Sequence, residues 1–169
     1  MGKIILVAES GSDISIELRE RYGIRIVPMH VIFGDVTKDD GTFSPSEVID
    51  YYRKTKKIPS TSGAMEYDFS KVFEEILASE PDASVLHIAY SAVTTCSYDC
   101  ARRAAEEFPQ MPFAQVDTGM FSYGHYSVVI RTAQMLEDHP EWTLEDARKA
   151  AQDLVDHSCM SFVPDGFEF

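Results

Sequence analysis

Ile4-Ile5-Leu6-Val7-Ala8-Glu9-Ser10-Gly11-Ser12-Asp13 decides how the rest of the chain is read. A continuous Val/Ile/Leu run, with no polar residue alternating through it, suits a parallel strand covered on both faces. It breaks at a hydroxyl-rich turn, and a helical pattern over residues 14–22 follows. The unit then recurs. Residues 3–8, 24–33, 84–89, 113–116 and 161–163 read as strands. Helical patterns lie between them at residues 14–22, 67–78, 98–108 and 119–137. Ser44-Pro45-Ser46-Glu47 places a capping serine before a first-turn proline, so a helix is expected to start at Pro45. Thr143-Leu144-Glu145-Asp146 gives a weaker version of that signal, opening a helix towards His157. Alternation of this kind predicts an α/β fold: a layered, mainly parallel sheet of four or five strands, with helices on both faces. Residues 34–43 are expected to be a solvated loop. They resemble a calcium loop only superficially, because the acidic ladder and the closing glutamate fall out of register.

The chain has 169 residues, of which 44% are hydrophobic, enough for one domain with its own core. Its 28 acidic and 15 basic residues leave a formal charge of -13, which repels nucleic-acid backbones and anionic bilayers and argues against both as partners. The opening apolar run is too short for a signal peptide, and no stretch approaches the roughly 18 apolar residues of a membrane helix. Gly2 is not followed by the hydroxyl that a myristoylation signal wants, since Leu6 stands there. Three cysteines (Cys96, Cys100 and Cys159), without framework spacing, suit a reducing cytoplasm. Cys96 and Cys100 share a helical face, but two thiols without a histidine pair make a poor zinc site.

Three segments concentrate hydroxyls ahead of a helix: residues 10–13, 60–63 and 91–97. In an open parallel sheet such turns gather at the carboxyl ends of the strands, where ligands bind. Helix starts add unpaired N–H groups and a favourable dipole, so the set reads as a receptor for a carboxylate or a phosphate. A single N-cap would explain one hydroxyl, whereas residues 91–97 carry four. Asp13 reads as a first-turn helix acid, and His30 and His87 as structural histidines in strands. His125 sits on a helix whose small and aromatic residues either line a pocket or pack. No nucleophile elbow, P-loop, dinucleotide fingerprint or zinc-protease motif is present. Cys96 at a helix mouth is the one nucleophile to weigh, and it lacks an identifiable base.

These residues resemble the amino-terminal domain of the DegV family of fatty-acid-binding proteins. Residues 4–14 resemble its opening strand and Asp-Ser-Thr-Ser-Asp-Leu, and Ile26-Val27-Pro28-Met29-His30-Val31-Ile32-Phe33-Gly34-Asp35 its second strand. Asp40-Gly41 with Ser44-Pro45-Ser46-Glu47 is similar to the loop and helix start that follow. Pro59-Ser60-Thr61-Ser62 resembles Pro-Thr-Thr-Ser, and residues 91–102 resemble Ser-Ser-x-Leu-Ser-Gly-Thr-Tyr-x-Ser-Ala-Arg. Val116-Asp117-Thr118 and Phe162-Val163-Pro164-Asp165 match later landmarks, so the likeness runs collinearly along the chain.

The resemblance implies a protein without catalysis or cofactor of its own, holding a long-chain fatty acid between two α/β domains and presenting its carboxylate to a fatty-acid kinase. Carried over by position, Thr61 and Ser62 contact the carboxylate, with Ser91 and Thr95 contributing from the second loop. Departures are Glu9 for Asp, Ala92 for Ser, Thr94 for Leu, Thr95 for Ser and Cys96 for Gly; the last is expected to reshape the head-group site. Family members run to about twice a single-domain length of about 150 residues. Residues 1–169 are therefore expected to be the amino-terminal domain alone, with residues 165–169 leading towards a second that, by the resemblance, supplies a basic or histidine contact to the carboxylate. Two alternatives remain. One is a phosphate-handling enzyme that uses the same loops with Asp13 or Asp117. The other is a degenerate homologue serving as an interaction domain.

Overall fold

The computed structural model describes residues 2–162. Its main sheet is fully parallel, in the order β2-β1-β6-β7, from β1 (Ile4–Glu9), β2 (Arg25–Val27), β6 (Ser84–Ala89) and β7 (Phe113–Asp117). The apolar run that opens the chain is divided between the two faces. Ile5 and Val7 enter one core with Val85, and Leu6 and Ala8 enter the other with Leu86 and Ile88. On the first face pack α3 (Glu66–Ser79), through Phe69, Val72, Phe73 and Ile76, and α4 (Ser97–Glu106), through Cys100, Ala101 and Ala104. On the second pack α1 (Ile16–Tyr22), α5 (Ser122–Asp138) and α6 (Leu144–Asp156). Phe69 and Phe73 are fully buried, and truncating either to alanine should cost about 3–5 kcal/mol. The expected α/β class and helices on both faces are present.

The expected strand at 24–33 is two strands in two sheets. Pro28, which has no N–H to donate to a ladder, follows the last residue of β2. The chain then enters β3 (His30–Phe33), which pairs antiparallel with β4 (Val36–Asp39) and with β5 (Ser60–Ser62). The segment expected to be loop therefore holds half a hairpin. Phe33 pairs with Val36 across a two-residue turn, Gly34-Asp35, in which Gly34 takes φ 66°. Helix α2 (Pro45–Thr55) starts where the Ser-Pro signal placed it, with Ser44 Oγ accepting from the Ser46 N–H. Thr143 and Asp146 cap α6 reciprocally, a stronger box than its sequence suggested. Ser161 and Phe162 lie in no strand; Val163 and the leader at 165–169 fall outside the described residues.

His30 pins the small sheet to the main body. Its Nδ1 lies 3.0 Å from Asp39 and its Nε2 2.9 Å from Asp68 at the start of α3. Burial pushes this histidine down, but the hydrogen bonds and charges of Asp68 and Asp39 outweigh it and raise its pKa.

Candidate functional site

The order β2-β1-β6-β7 puts a topological switch point between β1 and β6, because the chain leaves β1 towards one edge and returns on the other side. Both strands end in the hydroxyl segments singled out above. After β1, Ser10–Ser12 forms one turn of 3-10 helix, and Ser10 Oγ accepts the Met29 N–H at 3.0 Å, tying the end of β2 to the end of β1. Ser10 is therefore a brace. Asp13 is not a first-turn helix acid: it sits at φ 57°, two residues ahead of the Ser15 cap, and accepts the Ser122 hydroxyl at 2.6 Å.

After β6, the residue 91–97 segment winds into a tight turn. The N–H groups of Thr94 and Thr95 both point to Ser91 O, at 3.1 and 3.3 Å, and the Thr94 hydroxyl joins them at 3.0 Å. Asp117 at the end of β7 holds the outer side, taking the N–H groups of Ala92 at 3.1 Å and Gly119 at 2.9 Å. Thr95 Oγ1 accepts the Ser97 N–H at 3.1 Å, a local cap that leaves its own proton free to donate. Ser91 is buried and Thr95 half-buried.

The segment at 60–63 is not a helix cap, as its composition suggested. Ser60–Ser62 is β5, an edge strand in which Ser62 pairs with His30 and Thr61 with Val31. It nevertheless arrives at the same place. At Gly63, a Cβ would stand 2.8 Å from Ser97 Oγ and 3.2 Å from Thr95 Cβ, so only glycine lets β5 come this close to the turn. Gly63 thus brings the end of β5 against Thr95, with Ser91 one turn behind and Thr61 exposed on the strand. Exposed apolar side chains flank them: Ile58, Met65 and Val93 are 83%, 49% and 92% accessible. A separate concavity of about 520 Å³, lined by Ile4, Leu6, Tyr22, Leu136 and Trp142 among others, lies at the opposite, amino end of β1.

Sequence reasoning missed the buried polar cluster beneath the site. Glu9, His87 and His125 are all fully buried. Glu9 Oε2 accepts the Tyr90 N–H at 3.0 Å, immediately before Ser91, and Oε1 lies 3.2 Å from His87 Nε2, off the line of a good hydrogen bond. His125 Nε2 donates to Ile88 O at 2.7 Å, which fixes its tautomer and leaves Nδ1 as the acceptor. Burial holds His125 below its ordinary pKa. For Glu9, burial pushes the carboxyl up, but His87, His125 and the Tyr90 N–H outweigh it and leave it below the usual range. The signal was present as Glu9 at the position where the resembled motif has aspartate, since the longer side chain reaches the next strand. Cys96, in place of glycine, sits at φ -83° and ψ -1°, an ordinary helical conformation that needs no glycine. Among the described residues, no group of three His, Cys, Asp or Glu side chains is arranged to hold a metal, and both Asp13 and Asp117 are occupied by loop contacts.

This is a doubly faced α/β domain with a polar, hydroxyl-lined mouth at its switch point. The chain belongs to the DegV family, described as uncharacterised proteins, whose model matches residues 3–169. Among solved structures it is similar to a DegV family protein of Thermus thermophilus reported for its fatty-acid binding. The two are 31% identical with a TM-score of 0.80, covering 91% of this chain and 54% of that one. DegV of Bacillus subtilis shares the fold at TM-score 0.84, with 18% identity over 92% of this chain and 55% of that one. A fatty acid-binding protein of Thermotoga maritima is 26% identical over 151 residues, 87% of this chain and 51% of its own length. The chain spans about half the length of the curated relatives it matches. No described helix is long and apolar enough to cross a membrane.

Proposed function

We propose that the chain binds a long-chain fatty acid, with Thr61, Ser62, Ser91 and Thr95 around the carboxylate and the acyl chain running over the apolar residues beside them. The observation that carries this reading is the approach of β5 to the 91–97 turn at Gly63, which joins two hydroxyl segments that are about thirty residues apart in sequence. Neutral donors suit a carboxylate on a chain of charge -13, because the repulsion is long-range and screened while the hydrogen bonds are local. About twelve buried methylenes at about 0.8 kcal/mol each give on the order of 10 kcal/mol gross. Each hydroxyl bond to the charged head adds about 1.5–3 kcal/mol. The tail sets affinity and the hydroxyls set orientation.

In this reading the protein performs no catalysis and carries no cofactor beyond the lipid. It works in the reducing cytoplasm and offers the carboxylate to a fatty-acid kinase. Residues 1–169 act as the amino-terminal wall of the cleft, and a second α/β domain of the kind seen in longer family members covers the tail. Native mass spectrometry of the purified chain tests the ligand class. A bound mass in the range of long-chain fatty acids, lost on delipidation and restored by palmitate, supports the proposal. A bound nucleotide or phosphate, or no uptake of palmitate at millimolar concentration, overturns it.

A further inference from the structure

Beside the hydroxyl mouth lie three sulfurs, of which the fatty-acid reading uses only the apolar surface of Met65. Cys96 is the N-cap residue of α4, with an exposed thiol. Cys100 lies one turn on, its N–H bonded to Cys96 O at 3.0 Å, and its buried thiol touches that of Cys96. Met65, at the start of α3, brings its Sδ to 4.0 Å from Cys96 Sγ. The Cys100 sulfur also faces donors: Arg103 Nη2 at 3.3 Å and the Glu66 N–H. Burial and the neighbouring Cys96 hold the free Cys100 thiol above its ordinary pKa, and Arg103 stands ready to balance the thiolate once a metal displaces its proton.

We propose that Met65, Cys96 and Cys100 form a three-sulfur site for a single Cu(I) ion. The spacing fits. A metal at the centre of three sulfurs, with bonds of about 2.3 Å, sets those sulfurs about 4.0 Å apart. The donor set selects the metal class. Thiolate and thioether ligands favour Cu(I), whereas zinc wants a fourth ligand and rarely takes a thioether. The nearby Glu66 carboxylate is held by Arg103 at 2.8 Å. On binding, Cys96 and Cys100 each release a proton to solvent, and the resulting site carries one net negative charge, which Arg103 faces. Because Met65 is the N-cap residue of α3 and Cys96 that of α4, the ion links the two helices that frame the proposed carboxylate site, with Cys100 the one ligand drawn from the core.

The test uses the full chain, reduced and free of oxygen, titrated against Cu(I) held by bicinchoninate. The site predicts withdrawal of one equivalent. Cys96→Ser and Cys100→Ala should each weaken uptake by more than about 100-fold, beyond the effect of losing an outer contact, and Met65→Leu by about 10-fold. Cys159→Ser, remote in sequence from the cluster, should change nothing. Circular dichroism confirms that each variant folds, and the exposed position of Cys96 keeps one variant informative if Cys100→Ala does not fold. X-ray absorption should show three sulfur neighbours at about 2.3 Å. Failure to withdraw copper, uptake that survives Cys96→Ser or Met65→Leu, dependence on Cys159, or a two-sulfur shell would each overturn the site.

Discussion

Gly63→Ala tests whether the close approach of β5 to the 91–97 turn builds the site. The new methyl would lie 2.8 Å from Ser97 Oγ and 3.2 Å from Thr95 Cβ, where ordinary contacts begin near 3.4 Å. Ser97 is fully buried at the start of α4 and Thr95 is held by its bond to the Ser97 N–H, so neither can swing aside freely. Relief must come from β5 moving outward by a few tenths of an ångström. Overpacking of this kind costs about 1–3 kcal/mol, to be read as a lower denaturant midpoint with an unchanged slope. The same movement carries β5 away from the 91–97 turn, so palmitate affinity should fall together with stability. Ser97→Ala removes the nearer clashing atom. Its hydroxyl is buried without a hydrogen-bond partner, so the single variant should be near neutral, and in combination it should restore part of what Gly63→Ala loses. If Gly63→Ala left both stability and palmitate affinity unchanged, the approach at Gly63 would not be what assembles the site.

The Glu9 cluster makes the protein acid-sensitive in two stages. His125, with its folded pKa depressed, takes a proton more readily when unfolded, so stability falls as pH drops below about 6.5; Glu9, also depressed, holds its contribution above its unfolded value and loses it at lower pH. Glu9→Gln should remove the lower stage in denaturation curves recorded from pH 7 to 3 and leave the upper one. His30 behaves in the opposite sense: its raised pKa stabilises the hairpin fully below about 6.5, and that contribution is lost as pH rises through the folded value. Protection factors of the β3–β4 amides, corrected for the base-catalysed intrinsic rate, should fall as pH rises above about 6.5, and His30→Phe should abolish that fall. Thr143→Ala removes a reciprocal cap and should lower stability by about 0.5–2 kcal/mol in urea melts, with palmitate binding unaffected.

The main sheet was legible because its central strands β1 and β6 are buried on both faces, and such strands write themselves as largely apolar runs. Residues 84–89 illustrate this, matching β6 to the residue. The small sheet was not legible, because β4 is mostly exposed and β5 is Ser-Thr-Ser, so neither carries an apolar pattern. Its cue was the pair Pro28 and Gly34-Asp35: a proline that cannot continue a ladder and a two-residue turn that can start one. Composition singled out the hydroxyl segments but could not separate their tasks. Ser10 braces two strands, Thr95 takes the first N–H of α4, and Ser62 belongs to an edge strand that reaches the turn rather than to a helix start. Glu9, His87 and His125 were invisible as a group because β1, β6 and α5 each contribute one residue, and only the parallel register brings Glu9 beside His87.

In the proposed function, Thr61 and Ser91 hold a fatty-acid carboxylate at the switch point. Isothermal titration of palmitate into the delipidated chain, and into Thr61→Val and Ser91→Ala, tests it most directly. Each substitution should weaken binding by about 1–3 kcal/mol, as for a hydrogen bond lost to a charged group, with unfolding midpoints unchanged. Equal affinity in the wild type and both variants would place the carboxylate elsewhere and contradict the account.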